Sequence, residues 1–299
     1  MKKNNKIVVI GSINMDLVTR SDIFPKPGET VLGTSFLTIP GGKGANQAVA
    51  CARLGASVTM IGCVGQDLFG QELIDHLRKQ GINVDNVEPV TDEKTGIASI
   101  TLAENDNSII VVPGANYRMT PDKLEKLEDV IKECSTMLLQ LEIPMATVEK
   151  AVELGKEHGL TVILNPAPFM KICEQALKKI DYITPNEHEV VQLLNGLDEN
   201  KKNDIMKKCI ITKGSKGVSY FDNGQECTID GISVDVVDTT GAGDSFNGAL
   251  AVALTEGKTL EEACRFANIV GALSVTKLGA QTGMPTKAEV EKFLNSNKK

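Results

Sequence analysis

Short runs of β-branched and other apolar residues alternate with stretches of helical spacing along most of the chain. Lys6–Ile10 and Val58–Val64 are apolar runs that predict buried strands, and the spacing within Asp67–Gln80 predicts a helix ending at Gly81. The other predicted strands are Met137–Leu141, Thr161–Leu164, Tyr182–Thr184 and Cys209–Thr212. The other predicted helices are Ala45–Leu54, Pro121–Lys132, Met145–His158, Lys171–Lys179, Glu187–Asn195, Gly243–Glu256, Leu260–Leu278 and Ala288–Leu294. This alternation is typical of an α/β fold: a central, mostly parallel sheet with helices on both faces, here in one domain, 1–299.

Two segments, about 12–40 and 95–112, show strand-like alternation and no helical spacing. Within the second, Ile97–Val112 predicts a hairpin that turns at Glu104–Asn107. We expect the two segments to form a small antiparallel β lid beside the main sheet. The pattern is equally compatible with a pair of ordinary edge hairpins.

Three shorter patterns complete the predicted elements. Val218–Phe221 and Cys227–Ile229 flank Asn223-Gly224, which predicts a hairpin at the edge of the sheet. The polar stretch Asp198–Asn203 predicts a solvated loop, and Ile232–Val237 predicts a strand leading into a glycine-rich turn.

Composition limits the function more than the fold. Lys and Arg total 32 against 39 Asp and Glu, a net charge of −7, which argues against a nucleic-acid binder but not against a local phosphate pocket. No apolar run approaches the ~20 residues that span a membrane, so no membrane partner is expected. The seven cysteines form no C-x-x-C pair and the three histidines are scattered, which favours reduced thiols in a cytoplasmic protein over a zinc site.

The most informative motif is DTTGAGDSF at 238–246, at the start of a predicted helix. The turn Gly241-Ala242-Gly243 leaves backbone N–H groups free to point into one concavity, where the helix dipole attracts anions. Such an anion hole suits the charge that develops on a phosphoryl group during transfer. Asp244, beside it, has the chemistry of a base that accepts a hydroxyl proton. Taken alone, Asp244 is better explained as an acidic residue favoured at a helix N-terminus.

Two further motifs carry hydrogen-bonding groups suited to a polyol. GGKGANQA at 41–48 combines close-approach glycines with Lys43 and Asn46, although a glycine-rich loop entering a helix explains it as well. Asn14 and Asp16 follow the first strand and lie two residues apart, so in an extended segment both side chains point the same way. An Asx turn is the alternative for this pair.

Known nucleotide motifs are missing. The chain has neither G-x-x-x-x-G-K-[ST] nor a G-x-G-x-x-G after a strand, so a phosphate donor must be held in another way. The segment 212–217, TKGSKG, follows a predicted strand and has glycines that permit close approach to a nucleotide. A plain connecting loop is the alternative.

These motifs together resemble the ribokinase-like carbohydrate kinase family. GGKGANQA and DTTGAGDSF are similar to its two signature regions, in the same order, and VVIGSINMD, FPKPGET, LNPAP, ITPNEHE, ITKGSKG and LGAQ extend the likeness over the whole chain. The resemblance implies an ATP-dependent kinase that phosphorylates D-ribose at O5. Deoxyribose, another sugar or a nucleoside are open alternatives as substrates, as are, from other classes, a sugar-binding module without turnover and a hydrolase.

The resemblance also implies roles for individual residues. Asp244 would be the catalytic base and Gly241, Ala242 and Gly243 the anion hole. The sugar would be bound, together with Asp244, by Asn14, Asp16, Gly42, Lys43, Asn46 and Glu142. The nucleotide would be bound by Asn186, Thr212, Gly214, Ser215, Gly217, Gly243 and Asn268.

By the same resemblance, two cations and a partner subunit are expected. Glu189 would organise Mg²⁺ through water, and K⁺ would bind beside the anion hole at Asp238, Thr240, Ser274, Lys277, Gly279 and Gly283. A homodimer would form through the lid. The chain departs from the family at Gly283, often serine, at Asn268, often histidine, and in the stretch Asn195–Cys209, which is shorter and predicts a trimmed helix.

Overall fold

The structure is a computed structural model that describes residues 5–104, 106–222 and 224–296. Its strands are β1 (Lys6–Ile10), β2 (Asn14–Ser21), β3 (Gly33–Gly41), β4 (Ser57–Gly65), β5 (Asn83–Val90), β6 (Gly96–Ala103), β7 (Asp106–Val112), β8 (Thr136–Leu139), β9 (Thr161–Leu164), β10 (Tyr182–Ile183), β11 (Ile210–Thr212), β12 (Val218–Asp222) and β13 (Gln225–Ile229). Six of them form a parallel main sheet in the order β10-β9-β8-β1-β4-β5. The predicted parallel sheet is therefore confirmed.

The helices cover both faces of this sheet, as predicted. They are α1 (Lys43–Arg53), α2 (Leu68–Lys79), α3 (Pro121–Glu125), α4 (Glu128–Ile131), α5 (Met145–Glu157), α6 (Glu174–Lys179), α7 (Glu187–Leu194), α8 (Glu199–Met206), α9 (Ala242–Thr255), α10 (Leu260–Ser274), α11 (Ala280–Gly283) and α12 (Lys287–Ser296). Alternate residues of β1 point into two separate cores, Ile7 and Val9 into one, Val8 and Ile10 into the other. Helices α1, α2, α9, α10 and α12 contribute to the first core and α3 to α8 to the second.

The two segments that break the alternation form a second sheet, here called the small sheet, in the order β3-β2-β6-β7. Both hairpins, β2–β3 and β6–β7, are antiparallel, and the second turns between Ala103 and Asp106, at the start of the predicted Glu104–Asn107 turn. The central pair β2 and β6 runs parallel, so the sheet is mixed and the prediction of a purely antiparallel sheet was wrong in this respect. Two hairpins that lie side by side can join through a parallel or an antiparallel pair of strands. The residue pattern within each hairpin does not determine which of the two pairings forms.

A third, antiparallel sheet, β11-β12-β13, continues from the edge of the main sheet through single bridges at Ile183–Cys209 and Asn186–Thr212. The predicted hairpin is present, with Gly224 at φ +80°, while Asn223 lies outside the described residues. Because 186 and 212 lie beside each other here, two parts of the expected nucleotide site meet.

Two predictions of local structure were wrong, and one strand was missed. The stretch Asp198–Asn203 is not a loop: Asp198 accepts a hydrogen bond from the Lys201 N–H and begins α8, which buries Ile205. The run 232–237 is not a strand, because it finds no partner in any sheet, and the edge strand β5 was not predicted. No helix among the described residues is long and apolar enough to cross a bilayer.

Candidate active site

Helices α1 and α9 lie side by side, and both begin at the same edge of the main sheet. Gly248 of α9 packs so closely on α1 that a Cβ there would come within 2.5 Å of the Ala50 Cβ. Small residues at such a crossing let two helix backbones approach closely. As a result the first turn of α1, with Asn46 and Gln47, lies directly against the first turn of α9.

Asp244 is the residue on which the first turns of the two helices converge. Its side chain is buried, and its Oδ2 accepts a hydrogen bond from Asn46 Nδ2 at 2.9 Å while its Oδ1 accepts one from Gln47 Nε2 at 3.0 Å. The carboxylate is thus fixed by one amide donor on each oxygen. This is more than a helix-terminal acid needs, since a capping carboxylate bonds to the backbone of its own helix.

Gln47 was not predicted as a site residue. It is fully buried, and its Oε1 accepts a hydrogen bond from Gln140 Nε2 at 2.6 Å, so it is held from behind by a second buried amide. Asn46 is held in the same way by Gln281, whose Nε2 donates to Asn46 Oδ1 at 2.9 Å. The signal available in the sequence was a polar residue on the apolar face of α1, next to Asn46.

The expected sugar-binding residues lie around the start of α1 and β2. Glu142 Oε2 accepts hydrogen bonds from Ser12 Oγ at 2.5 Å and from the Lys43 backbone N–H at 3.2 Å. The carboxylate of Asp16 lies against Gly41, where any Cβ would come within 2.4 Å of it. Gly42 adopts φ +88°, and a Cβ there would come within 2.6 Å of the backbone N of Asn14. The structure thus gathers the predicted residues at one place.

Lys43 is the central cation of this cluster. Burial disfavours its charge, but the carboxylates of Asp244, Glu142, Glu189 and Asp16 outweigh that effect and raise the pKa of Lys43. Lys43 therefore stays protonated and supplies one positive charge among four acidic groups.

The same surroundings disfavour the charged form of Asp16, whereas they favour that of Lys43. Burial, reinforced by Glu142 and Asp244 and opposed by Lys43, raises the pKa of Asp16 to about 7. The protonation state of Asp16 therefore changes near neutral pH.

A cavity of about 190 Å³ opens beside these residues, between the small sheet and the ends of the main-sheet strands. Asn14, Glu142 and Asn116 supply its polar groups. Its apolar lining comes from Val111, Pro113, Tyr117, Leu141, Pro168 and Met170. A few convergent polar groups in an apolar cleft are typical of a small-molecule site.

The predicted anion hole has the backbone geometry that its glycines suggested. Gly241 adopts φ +77°, and a Cβ there would meet Ala280 of α11 at 2.9 Å. The Ala242 N–H donates to the Thr239 carbonyl at 3.2 Å, which closes the turn. Gly243 is exposed with open space above its Cα, and its N–H and that of Asp244 lie in the first turn, where a helix supplies no acceptor. These N–H groups are available to an anion.

The expected nucleotide residues fall into two neighbouring groups. Asn186 caps α7 through the N–H groups of His188 and Glu189, and Glu189 Oε2 accepts the Asn186 N–H in return. Thr212 lies beside Asn186. Asn186 is therefore the N-cap of α7, a structural role that was not predicted from the sequence.

The second group surrounds the loop 212–217. Gly214 and Gly217 have φ of +56° and +94°, and Gly217 lies so close to the Ile229 carbonyl that no side chain fits. The Ser215 carbonyl approaches Gly231 in the same way. Asn268 of α10 donates to the Asp230 carbonyl at 2.9 Å, so it borders this loop, too.

The expected K⁺ residues lie in the loop before α9 and in the segment from the end of α10 to α11, and Asp238 joins these two segments. Its Oδ1 accepts hydrogen bonds from the N–H and hydroxyl of Thr240, and its Oδ2 accepts the Gly279 N–H at 2.8 Å. Burial disfavours its charge, but these hydrogen bonds lower the pKa of Asp238. A Cβ at Gly283 would lie 2.5 Å from the Ser274 carbonyl oxygen and 3.4 Å from that of Lys277. Both carbonyls therefore face one space that only a glycine leaves open.

The comparison with a protein-family model assigns the chain to a family. The model "pfkB family carbohydrate kinase" matches residues 4–287. The chain belongs to this family. Among pfkB-family relatives, it is 49% identical to a ribokinase of Bacillus subtilis (strain 168), over 97% of this chain and 99% of the relative, and 36% identical to a deoxyribokinase of Salmonella typhi, over 97% and 99%. It is also similar to the solved structure of Arabidopsis thaliana ribokinase complexed with ribose and ATP, with a TM-score of 0.89 and 34% identity over 96% of this chain and 98% of that one.

Proposed function

We propose that this pfkB-family chain is an ATP-dependent kinase that transfers the γ-phosphoryl group of ATP to O5 of D-ribose, giving D-ribose 5-phosphate and ADP. The observation that carries the proposal is the Asp244 carboxylate, held by Asn46 and Gln47 beside the N–H groups of Gly243 and Asp244 in the first turn of α9, unpaired among the described residues. Base and anion hole are the two groups that a hydroxyl-directed phosphoryl transfer requires. Similarity to the ribokinases of Bacillus subtilis and Arabidopsis thaliana supports ribose as the acceptor.

Asp244 acts as the general base in this proposal. Each of its oxygens accepts one amide hydrogen bond and keeps lone-pair capacity for a sugar hydroxyl. As the O5–P bond forms and the bond from the γ-phosphorus to the β,γ-bridging oxygen of ATP breaks, the hydroxyl proton passes to Asp244. The N–H groups of Gly243 and Asp244 stabilise the charge on the transferring group.

The remaining residues bind and orient the two substrates. Asn14, Asp16, Gly42, Lys43, Asn46 and Glu142 hold the sugar in the cavity, and Asn186, Thr212, Gly214, Ser215, Gly217, Gly243 and Asn268 hold the nucleotide. Residues 1–299 act as one domain, with the small sheet as a lid that excludes water, since an open site would hydrolyse ATP. The unpaired pattern of its seven cysteines supports a cytoplasmic location.

Mg²⁺ is part of the proposal through Glu189. Among the described residues no three His, Cys, Asp or Glu side chains lie together as metal ligands, and Mg²⁺ in kinases characteristically uses one or two carboxylates, substrate phosphates and waters. Glu189 fits that requirement: it is half-buried, near Lys43, with one oxygen already occupied by the Asn186 N–H. When bound, Mg²⁺ neutralises charge on the phosphates.

K⁺ is proposed to bind at Asp238, Thr240, Ser274, Lys277, Gly279 and Gly283, largely through backbone carbonyls. We expect 100 mM KCl to raise kcat several-fold over the same concentration of tetramethylammonium chloride. The change Gly283→Ala places a Cβ 2.5 Å from the Ser274 carbonyl and is expected to remove this stimulation. Initial rates measured across a KCl titration test the expectation.

The matched control is Gly271→Ala in α10, where a Cβ meets only ordinary contacts at 3.6 Å and beyond. This variant is expected to keep the K⁺ response. Equal K⁺ responses of wild type and Gly283→Ala would place the cation elsewhere.

A homodimer through the small sheet completes the proposal. The outer strands of this sheet, β3 and β7, expose the large apolar side chains of Phe36, Leu37, Ile109 and Ile110, and Leu32 just before β3 is exposed as well. A concentration of exposed large apolar side chains favours an interaction surface. We expect sedimentation velocity to show a dimer, and Ile110→Asp to shift it to monomer by burying an unpaired charge. Leu68→Asp, at a still more exposed position on α2, is expected to leave the dimer intact; dissociation by both variants, or by neither, would contradict the lid interface.

The first test of the proposed function is ADP release by the purified protein with Mg²⁺-ATP across a panel of D-ribose, 2-deoxy-D-ribose, D-fructose and nucleosides. Turnover that is highest with D-ribose supports the proposal. Preference for deoxyribose would keep the chemistry of Asp244 and move the error to the sugar-binding residues, a real alternative given the similarity to a deoxyribokinase. No turnover with any sugar would favour a binding module.

A further inference from the structure

Asn116 is a buried polar residue between the cavity and the base of the small sheet, and neither a sequence motif nor the mechanism above assigns it a role. It lies in a short 3-10 turn, Gly114–Arg118, directly after β7, and its side chain is 1% exposed. Four hydrogen bonds join it to the chain around β2 and to the end of β7. A buried amide that bonds so fully has a single orientation.

Two backbone groups fix that orientation. The Ile13 N–H, which can only donate, lies 2.9 Å from Asn116 Oδ1, and the Pro113 carbonyl, which can only accept, lies 2.9 Å from Asn116 Nδ2. The oxygen of Asn116 must therefore face Ile13 and its nitrogen must face the other way.

The orientation of Asn116 determines that of Asn14. Asn116 Nδ2 donates to the side chain of Asn14 at 2.7 Å, so the Asn14 atom that receives this bond is the oxygen, Oδ1. The Asn14 amide nitrogen is left without an acceptor among the described residues, and Asn14 lines the cavity. Asn14 thus presents N–H donors, not an acceptor, to whatever occupies the cavity.

The β6 backbone packs against this pair of amides. A Cβ at Gly96 would come within 2.4 Å of both Asn116 Nδ2 and Asn14 Oδ1. Since β6 leaves no room for the two side chains to separate, their contact is retained as long as the small sheet stays in place.

We propose that Asn116 is a positioning residue for sugar binding, which fixes the Asn14 amide so that it donates to a hydroxyl oxygen of the sugar. The inference rests on the proposed function, because it takes a polyol as the occupant of the cavity. The neighbouring carboxylates, Asp16 and Glu142, can only accept when ionised. A sugar hydroxyl that accepts a hydrogen bond from the Asn14 amide can at the same time donate one to a carboxylate. The cavity thus offers a donor at Asn14 and acceptors at Asp16 and Glu142.

The test is the change Asn116→Asp, which keeps the shape and the bond from Ile13 but removes the donor. The Asn14 amide then turns its nitrogen toward residue 116 and its oxygen toward the sugar. We expect the Kd of D-ribose, measured by titration calorimetry without ATP, to rise about tenfold or more, as expected for a lost hydrogen bond with an acceptor facing an acceptor. In turnover, KM for D-ribose rises while KM for ATP changes less than twofold. Asn107→Asp adds the same charge at the exposed end of β7 and is expected to leave both constants unchanged.

A double-mutant cycle distinguishes positioning from a general structural role. If Asn116 acts through Asn14, Asn116→Asp has little further effect on D-ribose binding in an Asn14→Ala background. Equal effects in both backgrounds, or no effect in the wild-type background, would overturn the proposal.

A second variant covers the case in which Asn116→Asp does not fold. Asn14→Asp keeps the bond from Asn116 and presents only acceptors to the cavity, so it is expected to weaken D-ribose binding to a similar extent. Unchanged affinity in this variant would overturn the donor assignment. A wild-type protein that neither binds nor phosphorylates any sugar would instead overturn the proposed function, which separates the two failures.

Discussion

Replacing Asp244 by asparagine is expected to lower kcat at least about 10³-fold, within the range that general-base catalysis contributes. The new side chain cannot accept the hydroxyl proton. Its amide nitrogen also meets a donor on either side, Asn46 Nδ2 or Gln47 Nε2, so one of these contacts becomes repulsive. Single-turnover rates with Mg²⁺-ATP and D-ribose measure the effect on the chemical step.

The control is Asp235→Asn, which removes one carboxylate in the exposed loop before the DTTGAGDSF segment. We expect it to keep the wild-type rate. Calorimetric binding of D-ribose to Asp244→Asn then separates lost chemistry from lost binding. A kcat within tenfold of wild type would show that another group takes the proton, and the base assignment would be wrong.

Asp16→Asn is expected to have the second largest effect, a rise of about 100-fold in KM for D-ribose with a smaller change in kcat. The carboxylate accepts hydrogen bonds from hydroxyl groups, and charge-assisted bonds are about twice as strong as neutral ones. Since the Asp16 pKa is raised to about 7, the acceptor is lost as pH falls below 7. We therefore expect kcat/KM for D-ribose to fall with decreasing pH through an apparent pKa near 7, and this limb to be absent from the Asp16→Asn profile.

The raised pKa of Asp16 also predicts an effect on stability. The ionised carboxylate that strengthens sugar binding is expected to destabilise the folded protein when no ligand is bound. The pKa of Asp16 is higher in the folded protein than the ordinary aspartate value of 3.8, so its contribution to stability is present at low pH and is lost as pH rises through about 7. Above pH 7 the folded protein must hold a buried carboxylate close to Glu142 and Asp244. Without ligands, Asp16→Asn is therefore expected to raise Tm by at least about 2 °C at pH 8 and by less at pH 5. A lower Tm for the variant at pH 8 would contradict the raised pKa.

Much of the fold follows from local patterns along the chain. The apolar run Lys6–Ile10 has the same bounds as β1, and the helical spacing within Asp67–Gln80 contains α2. The failures are equally local: Asp198–Asn203 is polar enough for a loop, yet Asp198 caps a helix, and the apolar run 232–237 lies along the surface without a strand partner. A strand needs a neighbour, and sequence periodicity does not contain that information.

The residues of the site also fall into two groups, those recognisable in the sequence and those that only the fold brings to the site. Glycines at 41–44 and 241–243, and Asp244 beside them, are recognisable in the sequence because a turn with positive φ and a helix N-terminus restrict which residues can occupy them. Of the supporting amides, only Gln47 left a signal in the sequence, as a polar residue on the apolar face of α1. Gln140, Gln281 and Asn116 are ordinary polar residues until the fold buries them.

The chain alone therefore specified the alternation of strands and helices, the glycine turns and the acidic residue between them, since each depends on backbone preferences within a few residues. Folding decided the rest. The packing of Gly248 on Ala50 brings Asn46 and Gln47 to both oxygens of Asp244 from almost 200 residues away, and burial among other carboxylates raises the Asp16 pKa. Hydrogen bonds and electrostatic interactions of this kind depend on distance in space, and that distance exists only once the helices and strands have packed together.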